Sequence, residues 1–360
     1  METELNLFKE ILDFDSTSGK ELGLSQFLEK RLAQPLGGIA PAVQTWDIEG
    51  GGRNLLFGWG SPRVVFCTHI DTVPPYIPPR IDGETIWGRG SCDAKGQIMA
   101  LYGACRAIAE GGGSDFALLL LSGEETGSFG AKAFAKTAFR APYLIIGEPT
   151  ENKMVSASKG TKAFGLTFEG EPFHSGYPQF GNSAVDAFCD FVSALRDIKF
   201  PSDPVLGETT WNIGRLASDN PQNVLSPLLT CRLYFRTTFA SDTYVSELIP
   251  SLANSVFAEK GEASGLRSYG KSCITQPRGG QKIIVEALGG DAPANYLTLP
   301  GFGSAPAAFG SDAPHLSNFD QKIICGAGSI RFAHRDDEHI TIKEIQEATE
   351  LYVAMYKALI

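Results

Sequence analysis

The 360-residue chain is short of positive charge, of long apolar runs and of paired cysteines. Lysine and arginine number 31 against 41 aspartates and glutamates, a formal net charge of −10. The basic residues gather into no run and no helix face. An acidic surface repels phosphate backbones, which excludes nucleic acid as an expected partner. No stretch approaches the roughly 20 consecutive apolar residues of a membrane-spanning helix, so no membrane partner is expected either. The opening METELNLFKEILDFDS lacks the basic start and apolar core of a secretory signal. The seven cysteines form no CxxC pair. Cys67, Cys105, Cys189, Cys231 and Cys325 lie in apolar segments and read as reduced core thiols of a cytoplasmic protein. The glycine clusters at 51–52 and 111–113 do not make a GxGxxG between a strand and a helix, which excludes a dinucleotide fingerprint. Repeats and low-complexity segments are absent.

What is present is an ordinary globular composition, 43% hydrophobic and 20% charged, at a length that suits two domains. Leu5, Phe8, Ile11 and Leu12 mark a first amphipathic helix, and Ser18 with Glu21 reads as a capping box opening a second. Apolar runs at about 54–57, 63–68, 115–121 and 143–146 predict strands. Lys95 to Glu110 predicts a helix ended by Gly111–Gly113. This alternation argues for an α/β sheet with helices on both faces. From about residue 159 the pattern changes. TKAFGLTFEG, TWNIGRLAS and LTCRLYFRTT alternate apolar with polar, with helical stretches at Ser183–Ile198 and Tyr244–Glu259 between them. They predict an inserted α+β domain of ferredoxin-like type over 159–271, with one open sheet face. The α/β character resumes over 272–360, with QKIIC at 321–325 and a last helix at Ile342–Leu359.

The chemistry-bearing residues stand just past apolar strands. HIDTVPP places His69 and Asp71 after the run at 64–68. IWGRGSCDAKG places Asp93 before a helix. SGEETG places Glu124 and Glu125 after FALLLL, and Glu148 follows YLIIG. In open α/β sheets the crevice at the carboxyl ends of strands is where sites are built. Carboxylates crowded on one rim repel and force protonation, and divalent cations resolve that. Zinc accepts imidazole nitrogen and carboxylate oxygen, and paired metals need a bridging carboxylate.

HIDTVPP, GRGSCDAKG, SGEETGSFG and GEPTENK, in this order and spacing, closely resemble the dinuclear zinc aminoacylase and metallopeptidase family. Its members include acetylornithine deacetylase, succinyl-diaminopimelate desuccinylase and glutamate carboxypeptidase. The resemblance spans nearly the whole chain. It implies two zinc ions per subunit, replaceable by cobalt or manganese, with Asp93 bridging them. His69 and Glu148 would complete one site, and Glu125 with His334, from FAHRDDEHI, the other. It implies that Asp71 orients His69, that Glu124 is the general base, and that His174 of EPFHSGYPQFGNSAVDA reaches the site of a partner subunit in a homodimer. Asn223 and Arg236 of NVLSPLLTCRLYFR resemble the substrate-binding asparagine and carboxylate-binding arginine, and Gly310-Ser311-Asp312 resembles a substrate loop. A cis peptide at Asp93-Ala94 is also implied.

The implied activity is removal of an N-acyl group, acetyl first, from an amino acid such as ornithine, citrulline or lysine, by water activated between the metals. The RFAHRDDEHI segment most resembles the acetylornithine or acetylcitrulline deacetylase branch, which would place the chain in arginine or lysine biosynthesis. The alternatives are a dipeptidase, carboxypeptidase or desuccinylase of the same family, and a non-catalytic binding homologue.

Overall fold

Val64–His69 and Phe116–Leu121 form neighbouring parallel strands buried along their whole length, as uninterrupted apolar runs in a covered sheet should be. The computed structural model describes residues 2–258, 268–269, 272–273 and 282–360. The chain divides into two units. One is Met1–Ser156, Asn295–Pro306 and Ser311–Ile360; the other is Ala157–Ala294 and Ala307–Gly310.

The first unit is built on a six-stranded sheet in the order Ala42–Ile48, Gly52–Trp59, Phe116–Leu121, Val64–His69, Ala141–Ile146, Phe319–Ile324. The last four run parallel, and the first two are added antiparallel at one edge. Taken by chain position, the parallel strands lie in the order 2-1-3-4. The direction of strand addition therefore reverses beside Val64–His69, and a crevice opens there at the strands' carboxyl ends. Ile98, Leu101 and Cys105 of the helix Lys95–Glu110 share one core with Phe66, Leu118 and Ile145 of the sheet. Phe8 and Ile11 of the first helix and Tyr352 and Met355 of the last join them. The last helix, Ile342–Leu359, starts at the expected residue because Thr341 and Glu344 cap each other. Thr341 Oγ1 accepts from Glu344 N, and Glu344 Oε2 accepts from Thr341 N.

The second unit has the chain order strand, helix, strand, strand, helix, strand: Gly160–Glu169, Ala184–Asp197, Thr210–Ala217, Leu228–Thr237, Asp242–Ala258 and Lys282–Gly289. Its strands form one antiparallel sheet ordered second, third, first, fourth, the ferredoxin-like arrangement. Phe164, Leu166, Phe168, Leu233 and Phe235 bury one face against Phe191 and Leu195 of the first helix and Val245 and Ile249 of the second. Arg232 and Tyr234 stand exposed on the other face.

Three readings of the sequence are corrected. The expected boundary at 271–272 lies at the limit of the described residues, 271 being outside them. The strand Lys282–Gly289 pairs with Gly160–Glu169, so the insert runs on to Ala294. Glu259 likewise lies outside the described residues. Ser18 does not cap the second helix, Leu22–Leu32, which has no side-chain cap; its hydroxyl is drawn to Asp71 instead. Cys189 is not a core thiol but sits on the exposed face of its helix. No helix among the described residues is long and apolar enough to cross a membrane.

Candidate metal centre

Three parallel strands deliver the first residues of the site. Val64–His69 ends in His69. Phe116–Leu121 leads into the turn holding Glu124 and Glu125, and Ala141–Ile146 leads through Gly147 to Glu148. Asp93 arrives from the loop before the helix Lys95–Glu110, with a cis bond to Ala94. His334 comes from the segment following the strand Phe319–Ile324. It stands in the left-handed region at φ 64°, a conformation that costs a non-glycine residue roughly 1–2 kcal/mol and that its surroundings must impose.

Asp93 stands between two imidazoles. Its Oδ1 lies 3.0 Å from His69 Nε2, and its Oδ2 lies 3.5 Å from His334 Nε2. His334 Nε2 is also 2.9 Å from Glu125 Oε1. Three overlapping groups each bring three donor atoms within 4.8 Å of one another: His69, Asp93 and Glu148; Asp93, Glu125 and His334; His69, Glu124 and Glu125. Imidazole nitrogen with carboxylate oxygen is a donor set that suits zinc and related divalent ions, and the residues fit a pair of them.

Asp71 is fully buried and organises the rim from behind. Its Oδ1 accepts from Glu124 N at 3.0 Å, and its Oδ2 accepts from Glu125 N at 3.1 Å and from Ser18 Oγ at 2.9 Å. His69 Nδ1 lies 3.0 Å from the Asp71 backbone oxygen and 3.4 Å from its carboxylate. That neighbour fixes the ring's tautomer and leaves Nε2 for the centre. Asp71 thus holds the Glu124–Glu125 turn as well as the histidine.

Burial pushes the Glu124 and Glu148 carboxyls well above their usual range, against the pull of His69. Burial would lower His69, but its hydrogen bonds to Asp71 and Asp93 outweigh that and raise it. The contact with Glu125 raises His334. Asp312, named in the sequence only as part of a loop, is buried. Its Oδ1 lacks a hydrogen-bond partner, and burial pushes its carboxyl up to about 6. Its charge adds to the upward push on Glu124 and Glu148.

Of the remaining site residues, His174 with Asn223 and Arg236 with Gly310 form two pairs within the insert, and Ser311 belongs to the first unit. His174 is exposed; its Nδ1 accepts from Gly176 N, its ring packs against Tyr177, and Ser175 N donates to Asn223 O beside it. Arg236 stacks on Tyr234, its guanidinium 5.2 Å from the ring centroid. Gly310 lies beside it, and a Cβ there would be in ordinary van der Waals contact with Arg236 Nη1, at 3.8 Å. Ser311 is buried, and its Oγ accepts from Ala313 N at 3.3 Å.

Imidazoles and carboxylates gathered at the switch point of a parallel sheet are a candidate centre for divalent ions, the kind of site a metallohydrolase uses. The sequence profile of "Peptidase family M20/M25/M40" matches residues 65–260. A peptidase M20 domain-containing protein of Schizosaccharomyces pombe is 31% identical over 98% of this chain and 83% of its own length. A probable carboxypeptidase of Aspergillus oryzae is 28% identical over 98% of this chain and 87% of its own. Among solved structures, an M20 family metallo-carboxypeptidase from Sulfolobus solfataricus superposes with a TM-score of 0.74 at 15% identity, covering 100% of this chain and 99% of that one. The chain belongs to peptidase family M20/M25/M40, enzymes that hydrolyse amide bonds.

Proposed function

We propose that this enzyme cleaves the amide bond preceding a free α-carboxylate, with Asp93 placed where it would help to hold each of two metal ions. His69 and Glu148 would complete one ion's ligands, and Glu125 and His334 the other's. The observation that carries the reading is the position of Asp93, with each carboxylate oxygen turned to a different imidazole. A dipeptide is an amino acid N-acylated by another amino acid. Carboxypeptidase, dipeptidase, desuccinylase and deacetylase activities therefore share one carboxylate-side chemistry and differ on the acyl side. The fungal relative named a carboxypeptidase favours a peptidyl acyl group over the acetyl group expected from the resemblance.

The cations, when bound, supply positive charge that polarises the scissile carbonyl and makes water acidic. Glu124 takes the proton from the attacking water and passes it to the departing nitrogen, from a turn whose N–H groups Asp71 holds in place. Arg236 offers a planar fork to the substrate carboxylate, with Asn223, Gly310 and Ser311 as further contacts. His174 donates to the developing oxyanion of a partner subunit's substrate in a homodimer. The test is hydrolysis of a panel of dipeptides against N-acetyl and N-succinyl ornithine, citrulline and lysine. It is run before and after chelation and after restoring zinc, cobalt or manganese. Turnover of peptides that vanishes on chelation and returns with metal is expected. Full activity of the metal-free protein overturns the proposal.

A further inference from the structure

Arg89 and Glu338 are buried charges that the proposed reaction does not use. Each side chain is about 1% exposed, and Arg89 Nη1 donates to Glu338 Oε2 at 2.7 Å. A buried ion pair is weak evidence of stabilisation, since apolar residues of equal volume often serve as well. The pair's other hydrogen bonds, however, all go to backbone of the segments that carry the proposed metal ligands. Glu338 Oε1 accepts from three N–H groups of one loop: Gly90 at 3.0 Å, Cys92 at 3.1 Å and Asp93 itself at 3.0 Å. Three converging N–H groups form a concavity that calls for an anion, and an apolar side chain would leave them unpartnered. Arg89 Nη1 also donates to Arg335 O at 3.0 Å, next to His334, and its Nε donates to Pro75 O at 3.2 Å, beyond His69 and Asp71.

We propose that Arg89 and Glu338 are positioning residues that hold the Asp93, His334 and post-His69 segments in one register and so set the relation between the two metal positions. This rests on the reading of those residues as ligands. Glu125 and Glu148 lie outside the knot; the turn of Glu125 is held by Asp71. A metal held by Asp93, Glu125 and His334 would have two ligands on the tethered segments, and cutting the tie would loosen both. A metal held by His69, Asp93 and Glu148 would keep His69 on a strand end and Glu148 two residues past one.

The test is metal-binding competition against a chromophoric chelator, with the absorption spectrum of the cobalt-loaded protein as a second signal. Wild type, Glu338→Gln and Arg89→Lys are compared. Gln at 338 turns a donor toward a donor in either orientation. Lys at 89 keeps the charge but cannot reach three acceptors. Wild type should bind two ions. Both variants should lose affinity at one site by about 10–100-fold, the scale for groups that hold ligands in place, with an altered cobalt spectrum and a smaller change at the other site. Arg106→Ala, which breaks an exposed pair with Glu4, should change neither affinity. Folded variants that bind both ions as wild type does overturn the positioning role, whatever their melting temperature. Failure of wild type to bind two ions overturns the metal reading instead. If Glu338→Gln does not fold, Arg89→Lys decides; if neither folds, the pair serves folding and the proposal fails.

Discussion

Replacing Asp71 by asparagine changes one atom and should unsettle the whole rim. The Asp71 carboxylate has no exposed surface and takes three hydrogen bonds, from Ser18 Oγ, Glu124 N and Glu125 N. Both oxygens face a backbone N–H, so in either orientation the new amide NH₂ meets one of them donor to donor. A buried N–H left without an acceptor costs about 1–3 kcal/mol, and the bonds that survive lose their charge-assisted strength, so a total of about 2–4 kcal/mol is expected. For a unit of 150–250 residues, each kcal/mol moves the melting temperature by about 2–4 °C, so a fall of roughly 4–16 °C follows. Calorimetry of the metal-free protein reads this directly. Because the same N–H groups hold Glu124 and Glu125, turnover should fall with stability. Asp82→Asn is the control, since that carboxylate is 73% exposed and only 3.4 Å-paired with Arg80. An Asp71→Asn protein melting within 2 °C of wild type, by the same scale under 1 kcal/mol, would refute the reasoning.

Glu124→Gln should keep both metals yet lose kcat by about 10²–10⁴-fold, while Glu125→Gln, which strips the contact to His334, should weaken metal binding; metal titration beside kinetics separates them. Arg236→Ala should raise KM for substrates with a free α-carboxylate and leave the matching α-amides alone, and equal losses on both would rule out the fork. Mixing inactive His174→Ala with inactive Glu124→Gln under subunit exchange should restore activity if sites are completed in trans, and proven exchange without activity ends that idea. In the insert, Asp203 accepts from Leu206 N and Val205 N at 2.9 Å and from Ala240 N at 3.2 Å, which lowers its pKa below 3.8. A lowered carboxyl stabilises the fold above its unfolded pKa and loses that as pH falls through the folded value. Asp203→Asn should therefore destabilise at pH 7 by about 1–2 kcal/mol and converge on wild type in acid, which urea titrations at several pH values will show.

The parallel strands and the helices Lys95–Glu110 and Ile342–Leu359 were legible because their periodicity is strong, and a glycine cluster signals the end of the first helix. The residues that hold the proposed ligands were not. Ser18 sits three residues before Glu21 and mimics a cap, although its partner lies 53 positions away, a pairing no local pattern encodes. Glu338 is one of three consecutive acids at 336–338, and only the fold shows which one turns inward. Arg89 and Asp312 look like ordinary loop charges until their burial is seen. The end of the insert was misplaced because Lys282–Gly289 is an edge strand with a mixed exposure pattern, and nothing in its composition says which sheet it joins.

The strand Phe319–Ile324 pairs in parallel with Ala141–Ile146, and an entire inserted unit intervenes between them in the chain. On a ribosome, at about 5–20 residues per second, those two neighbours emerge on the order of ten to thirty seconds apart. His334 and Glu338 come later still. Through that interval the nascent sheet exposes one raw edge, the insert has every residue it needs to fold first, and the cluster of carboxylates around Asp93 waits without its last imidazole. On the proposed ligand set, metal capture would wait until His334 has emerged, and a product truncated before it would carry the acids but not the second imidazole.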